Sequence, residues 1–258
     1  MPVNNTQKPL PPNPEGTSRF VLYLRAAAFW LVFASTTLIA AILVVLMFPL
    51  SLASRQAFVK VYVRFILRWL RITCKLNHEI QGLENIPPDT CIVFSKHQST
   101  WETFAIQIIF PAQIWVAKRE LLWIPFFGWG LALMKPIALN RGSGRAAVEQ
   151  LARQGTERLA EGLWVILFPE GTRVAPGRQG RYKIGGAVLA ERSGYPIIPV
   201  AHNAGEYWPR RSFIKYPGTI QVRIGPPISP LGKTAQEILK ESSDWIESKM
   251  AEITSAQD

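Results

Sequence analysis

The hydrophobic pattern divides the chain before any motif is considered. Residues 1–18 carry Pro, Asn and Thr without an apolar period, which predicts a mobile tail. Residues 26–53 contain no charge over 28 positions. The part up to Phe48, ahead of Pro49, would form a helix of roughly 35 Å, long enough to cross a hydrocarbon core. A cleaved signal peptide is the competing reading, since Ser51 and Ala53 mimic a small-x-small site. The apolar run is much longer than the usual core of about 7–15 residues, which argues against cleavage. In residues 55–75, Arg55, Lys60, Arg64, Arg68, Arg71 and Lys75 interleave with Val61, Tyr62, Phe65, Ile66, Trp69 and Leu70. Lys60, Arg64, Arg68 and Arg71 fall on one helical face, which predicts a helix along the headgroups of an anionic leaflet. A buried amphipathic core helix is disfavoured, because nothing acidic within the segment offsets six cations.

From residue 90 the period changes. Strands are predicted at 91–95, 114–117, 137–139, 163–168, 197–201 and 220–224, with helices near 99–110, 143–161, 184–193 and 234–251. In the second helix Val148, Leu151, Ala152, Gly155 and Leu159 share a face. This alternation predicts an α/β fold, a mostly parallel sheet flanked by helices, carrying an N-terminal hydrophobic membrane-anchoring segment. The chain divides into a tail (1–18), a transmembrane or re-entrant helix with a basic interfacial helix (19–75), and the α/β body (76–258). Residues 121–131 gather two Trp and two Phe around Pro and Gly. They fit a core segment or a loop dipping into a membrane interface equally well.

Composition sharpens this picture. With 258 residues, 48% of them apolar and 18% charged, a wholly disordered chain is excluded. The net charge of +11 suggests a polyanionic partner, yet residues 1–75 hold nine Lys/Arg against one acid, +8 of the total. Placed around an apolar span, that charge points to a phospholipid bilayer and away from nucleic acid. Five Lys/Arg follow the span within twenty residues, against two before it and Arg25 at its edge, so the body is expected on the cytoplasmic side. A re-entrant hairpin turning near Pro49 fits the same charges. Cys74 and Cys91 form no Cys-x-x-Cys pair, which excludes a disulfide scaffold or cysteine-rich zinc module and predicts free thiols.

Two clusters carry candidate chemistry. His97 follows a predicted strand, and Glu102 lies five residues on, across a helix start. Such a carboxylate can hold Nδ1–H and fix the tautomer while Nε2 takes a proton from a hydroxyl. Ser99-Thr100-Trp101-Glu102 is also a capping box, which would explain the glutamate without catalysis. His78 and His202 read as structural. The second cluster is Phe168-Pro169-Glu170-Gly171-Thr172-Arg173, directly after an apolar strand. There Gly171 admits close backbone approach, Thr172 offers a hydroxyl, and Arg173 offers a fork for phosphate. Arg178, Arg181 and Lys183 follow. No Gly-x-Ser-x-Gly, His-Glu-x-x-His or Walker loop occurs, and no metal site is expected. Residues 142–147, with Glu161 beyond, match a degenerate dinucleotide fingerprint without the βαβ unit it requires.

The two clusters in this order, 71 residues apart, resemble the glycerolipid acyltransferases typified by 1-acylglycerol-3-phosphate acyltransferase. The family's His-x4-Asp block matches His97 to Glu102, and its Phe-Pro-Glu-Gly-Thr-Arg block matches residues 168–173 throughout. Its intermediate block ends at Arg141, and its proline-containing apolar block is similar to residues 195–200. Two positions depart: Glu102 replaces the usual Asp, and Lys96 stands where Asn often precedes the histidine. The resemblance implies an acyltransferase domain over 76–258 that moves a fatty acyl chain from acyl-CoA or acyl carrier protein to the sn-2 hydroxyl of lysophosphatidic acid, without a further cofactor. It implies His97 and Glu102 as catalytic residues and Arg141, Glu170, Gly171, Thr172, Arg173 and Lys183 around the acceptor. In a bacterium the site would be the inner (plasma) membrane. Another lysolipid or glycerol 3-phosphate as acceptor, or a non-catalytic lipid-binding membrane protein, are the alternatives.

Overall fold

The computed structural model describes residues 16–140 and 142–255, so most of the expected tail, and Arg141, lie outside the described residues. Helix α1 (Arg19–Leu46) starts at Ser18, whose hydroxyl accepts the Val21 N–H, and stops short of Pro49. A tight turn leads to Ser51, which caps α2 (Leu52–Cys74). α1 is long and apolar enough to cross a membrane by length and composition. The two helices run antiparallel: Thr37 Oγ1 meets Tyr62 Oη at 2.6 Å, and the Cys74 thiol reaches the Arg25 carbonyl at 3.8 Å.

Arg55 and Lys60 leave the expected basic surface. The Arg55 guanidinium donates to the Phe48 and Leu50 carbonyls at 3.1 and 2.7 Å, closing the turn. Lys60 donates to the Phe110 carbonyl at 3.2 Å. Arg64, Arg68 and Arg71 stay exposed beside exposed Val61, Phe65 and Ile72. The opposite face of α2, with Val63, Ile66, Leu67, Leu70 and Cys74, is buried in the core. The core-helix reading that six unopposed cations disfavoured therefore holds for one side of the segment, and only the other side keeps a basic, apolar surface.

α1 rests on the rest of the molecule near both ends, through Leu22, Ala26 and Phe29 and then Ala40 and Val44. The Trp30 indole donates to the Phe213 carbonyl at 2.9 Å. Buried Lys215 places Nζ 3.6 Å from the Trp30 ring centroid and 5.0 Å from those of Phe29 and Trp208. Burial draws its ammonium down to about 7.

After α2 comes edge strand β1 (Leu76–Gln81), then β2 (Ile92–Ser95), α3 (Trp101–Ile109), β3 (Gln113–Lys118), α4 (Phe127–Leu133), β4 (Ile137–Leu139), α5 (Arg145–Ala160) and β5 (Trp164–Leu167). The chain ends with α6 (Gly185–Ser193), β6 (Ile197–His202), the short α7 (Ala204–Tyr207), β7 (Gly218–Ile224) and α8 (Ala235–Ser255). The seven strands form one sheet in the order β1-β7-β6-β2-β5-β3-β4, parallel except for β6 against β7. Side chains alternate across it. Val93, Trp164, Ile166, Ile198 and Val200 face α1, α2 and α3, whereas Ile92, Phe94, Val165, Leu167 and Ile197 face α5, α6 and α8. Burial on both faces is why β2 and β5 read as continuous apolar runs.

The aromatic segment resolves as surface. Trp123, Ile124, Phe126, Phe127 and Trp129 are exposed, while Gly128 and Gly130 face inward. A Cβ on Gly130 would lie 3.3 Å from the Ala41 carbonyl, so its bareness lets α4 approach α1.

Candidate active site

Parallel neighbours end at the same sheet edge, and β2 and β5 are neighbours, with Val93 opposite Ile166. Their C-terminal extensions therefore place His97 and the Phe168–Arg173 loop together, as open α/β sheets place their sites. Contact is direct: the Val174 N–H donates to the His97 carbonyl at 2.8 Å, and the His97 and Phe168 rings stack at 4.0 Å.

His97 Nδ1 lies 2.9 Å from Glu102 Oε1. The same oxygen accepts the Gln98 and Ser99 N–H groups at 2.9 and 2.7 Å. Glu102 is thus cap and orienter at once. The helix begins one residue later than the capping-box reading expects, with Thr100 as N-cap, and the Ser99 hydroxyl accepts the Trp101 N–H. Among the described residues Glu102 Oε2 is buried with no hydrogen-bond partner. Since a carboxylate only accepts, Nδ1 carries the proton and Nε2 remains for chemistry.

Burial alone would push the Glu102 carboxyl up, but His202, the His97 hydrogen bond and charge, and the Ser99 N–H together hold it below the usual carboxylate range. A folded value below the unfolded one stabilises the fold above about pH 4.3, and this contribution is lost as pH falls through the lower folded value. Replacing Glu102 by Gln should therefore narrow the stability gap to the wild type as pH drops through that window, measured by denaturant unfolding at a series of pH values. At neutral pH, Glu102→Gln keeps an acceptor for the cap but not the charge, and should lower kcat by about 100-fold. Glu102→Asp should retain more activity; equal high activity in both would reduce Glu102 to a cap.

His202 braces this loop from beneath. Its Nδ1 accepts the Ala204 N–H at 3.3 Å, so Nε2 carries the proton and donates to the Lys96 carbonyl at 2.8 Å. Burial lowers its pKa against the opposing pull of the Glu102 charge. Ser99 Oγ donates to the Trp208 carbonyl at 2.7 Å. His78 lies on edge strand β1 against Trp101.

In the second loop Gly171 turns through φ +68°, where a Cβ would stand 3.0 Å from Lys183 Cε and Nζ. The Lys183 N–H donates to the Pro169 carbonyl at 2.8 Å, which places Lys183 against the loop. Thr172 is exposed. Arg173 is half-buried; burial draws its pKa down, the Glu102 charge raises it and the Arg210 charge lowers it, so both lie within electrostatic reach of Arg173. Glu170 shapes the site from behind: it is buried, and its oxygens accept from Lys96, Gly180 N–H and His97 N–H. Arg141 is outside the described residues, beyond β4 and Asn140. Behind Glu170, Lys96 and Tyr182 both meet Glu247 of α8, a grouping of which the sequence signals only the Lys96 departure. Among the described residues both cysteines are free and buried, and burial followed by Asp89 pushes the Cys91 thiol up to about 12.

Residues 77–203 match the family model described as Acyltransferase. The chain is 43% identical over 239 residues to a Pseudomonas aeruginosa protein named 1-acyl-sn-glycerol-3-phosphate acyltransferase, covering 91% of this chain and 93% of that one. It is 30% identical over 229 residues to a Saccharomyces cerevisiae protein of the same name, covering 85% and 73%. Its fold is similar to that of the 1-acyl-sn-glycerophosphate (LPA) acyltransferase PlsC from Thermotoga maritima, with a TM-score of 0.74 at 23% identity over 90% of this chain and 95% of that one.

Proposed function

The chain belongs to the 1-acyl-sn-glycerol-3-phosphate acyltransferases, and from that premise we propose that it acylates the sn-2 hydroxyl of 1-acyl-sn-glycerol 3-phosphate, giving phosphatidic acid. The observation that carries this reading is the junction of the two loops, where a histidine with Nδ1 committed to a buried carboxylate stands beside a half-buried arginine. The donor is an acyl thioester, on coenzyme A or acyl carrier protein. His97 Nε2 takes the hydroxyl proton as the oxygen attacks the thioester carbonyl. The C–O bond forms, the C–S bond breaks, and the proton passes from His97 to the departing thiolate. A thiol pKa of about 8.5 makes this a good leaving group. Arg173, with Lys183 over Gly171, holds the acceptor phosphate.

The lipid-facing surface in this reading joins the outer side of α1, with Leu31, Leu38, Ile39, Leu43 and Leu46, to exposed Trp123, Phe127 and Trp129. Exposed Arg64, Arg68 and Arg71 lie at headgroup level. The hairpin of α1 and α2 supports the re-entrant alternative, with both ends and the body on the cytoplasmic side.

Purified protein in anionic vesicles, given labelled acyl thioester and a panel of acceptors, should form phosphatidic acid from 1-acyl-sn-glycerol 3-phosphate faster than any product from glycerol 3-phosphate or other lysolipids. Preference for a different acceptor would replace this assignment. Binding without turnover would make the chain a lipid-binding membrane protein.

A further inference from the structure

Lys96 is 1% exposed, and its ammonium is held between two carboxylates. Nζ lies 2.7 Å from Glu170 Oε1 and 2.6 Å from Glu247 Oε1 on α8. The Tyr182 hydroxyl donates to the same Glu247 oxygen at 2.7 Å, and the Tyr182 ring centroid is 5.8 Å from Nζ. Burial and the Glu247 and Glu170 charges push the Tyr182 phenol up, so it stays a donor. Glu170 then spends its other oxygen on the His97 N–H at 2.9 Å. A single buried ammonium thus links the end of β2, the Phe168–Arg173 loop and the C-terminal helix.

Burying an ion pair costs desolvation that its attraction only partly returns, and well-packed apolar replacements are often as stable. What this arrangement contributes is geometry. The Glu170 carboxylate fixes the backbone of the histidine while its own backbone belongs to the loop that ends in Arg173, and Lys96 holds that carboxylate in place.

We propose that Lys96, secured by Glu247 and Tyr182, is a positioning residue that acts through Glu170 to set the distance between the base on one loop and the phosphate-binding arginine on the other. This rests on the acyl-transfer reading above. Lys96 is buried with its ammonium spent on Glu170 and Glu247, so its removal should lower kcat and leave both KM values alone. Displacing a reacting group by about 1 Å costs about 100-fold.

The test uses the full-length protein in vesicles, with the wild type and His97→Ala assayed first. Transfer that His97→Ala abolishes establishes the parent reading independently of the result for Lys96. Lys96→Met is then expected to lose about 100-fold in kcat with KM for donor and acceptor within about threefold. Lys96→Met/Glu170→Gln removes the uncompensated buried carboxylate while the amide oxygen still accepts the His97 N–H. It should stand about tenfold below the wild type, a partial rescue that a purely structural loss would not show. Wild-type kcat in folded Lys96→Met, or a double variant no better than the single, overturns the proposal. Should Lys96→Met fail to fold, the double variant alone decides. A kcat about tenfold below the wild type at unchanged KM supports positioning, and wild-type kcat overturns it.

Discussion

Replacing His97 by alanine is expected to reduce kcat by at least about 1000-fold, within the range for loss of a general base. Among the described residues no other group stands ready to take its place. Glu102 is buried beneath the ring, and the Cys91 thiol is held protonated by burial. The fold should tolerate the change. The ring is 15% exposed, and Glu102 keeps its bonds from the Gln98 and Ser99 N–H groups when the imidazole is removed. The loop also keeps its backbone bond from Val174 and its brace from Trp208. Membrane association should be unchanged, since His97 is remote in sequence from α1 and its exposed apolar face. The measurement is turnover of labelled thioester with flotation of the same sample. A variant turning over within about tenfold of the wild type would remove His97 from the role of base.

Arg173→Ala should act on the other substrate parameter. Hydrogen bonds to charged groups contribute about 1.5–3 kcal/mol, so losing the guanidinium should raise acceptor KM by about 10- to 100-fold and leave donor KM unchanged. Arg173→Lys should recover part of the loss, because an ammonium keeps the charge but not the two-pronged fork. The neighbouring cations Arg210 and Lys183 set a floor under the effect. An acceptor KM that does not move, with kcat also intact, would place the phosphate elsewhere.

Both loops were legible in the sequence because each follows a strand buried on two faces, whose apolar run marks its end. The predicted strands 91–95 and 163–168 correspond to β2 and β5 within a residue or so, and residues 137–139 to β4. β1 was harder. Leu-Asn-His-Glu-Ile-Gln lies at the sheet edge with most of its side chains exposed, so it has neither an apolar run nor clean alternation. α4 was hidden by its two glycines, which serve close approach and not helix propensity. The inward turn of Arg55 and Lys60 was invisible because a cation reaching a carbonyl has the same local pattern as one reaching a headgroup. The link between Lys96 and Glu247 spans 151 residues, and a glutamate on the polar side of an amphipathic helix carries no sign of a distant partner.

The way α1 is held has a mechanical consequence. A catalytic unit hung on a flexible tether must tumble until its mouth meets the lipid, and most encounters are wasted. Here α1 is packed into the same core as β2 and β5, Phe29 belonging to one buried cluster with Val93 and Ile166. With α1 seated in a leaflet, swivelling relative to the bilayer would require breaking that core, so the remaining rotation is about the membrane normal. In the membrane reading proposed above, the search for substrate would be two-dimensional and orientation-locked: every headgroup diffusing past the sheet edge would meet the same face of the molecule.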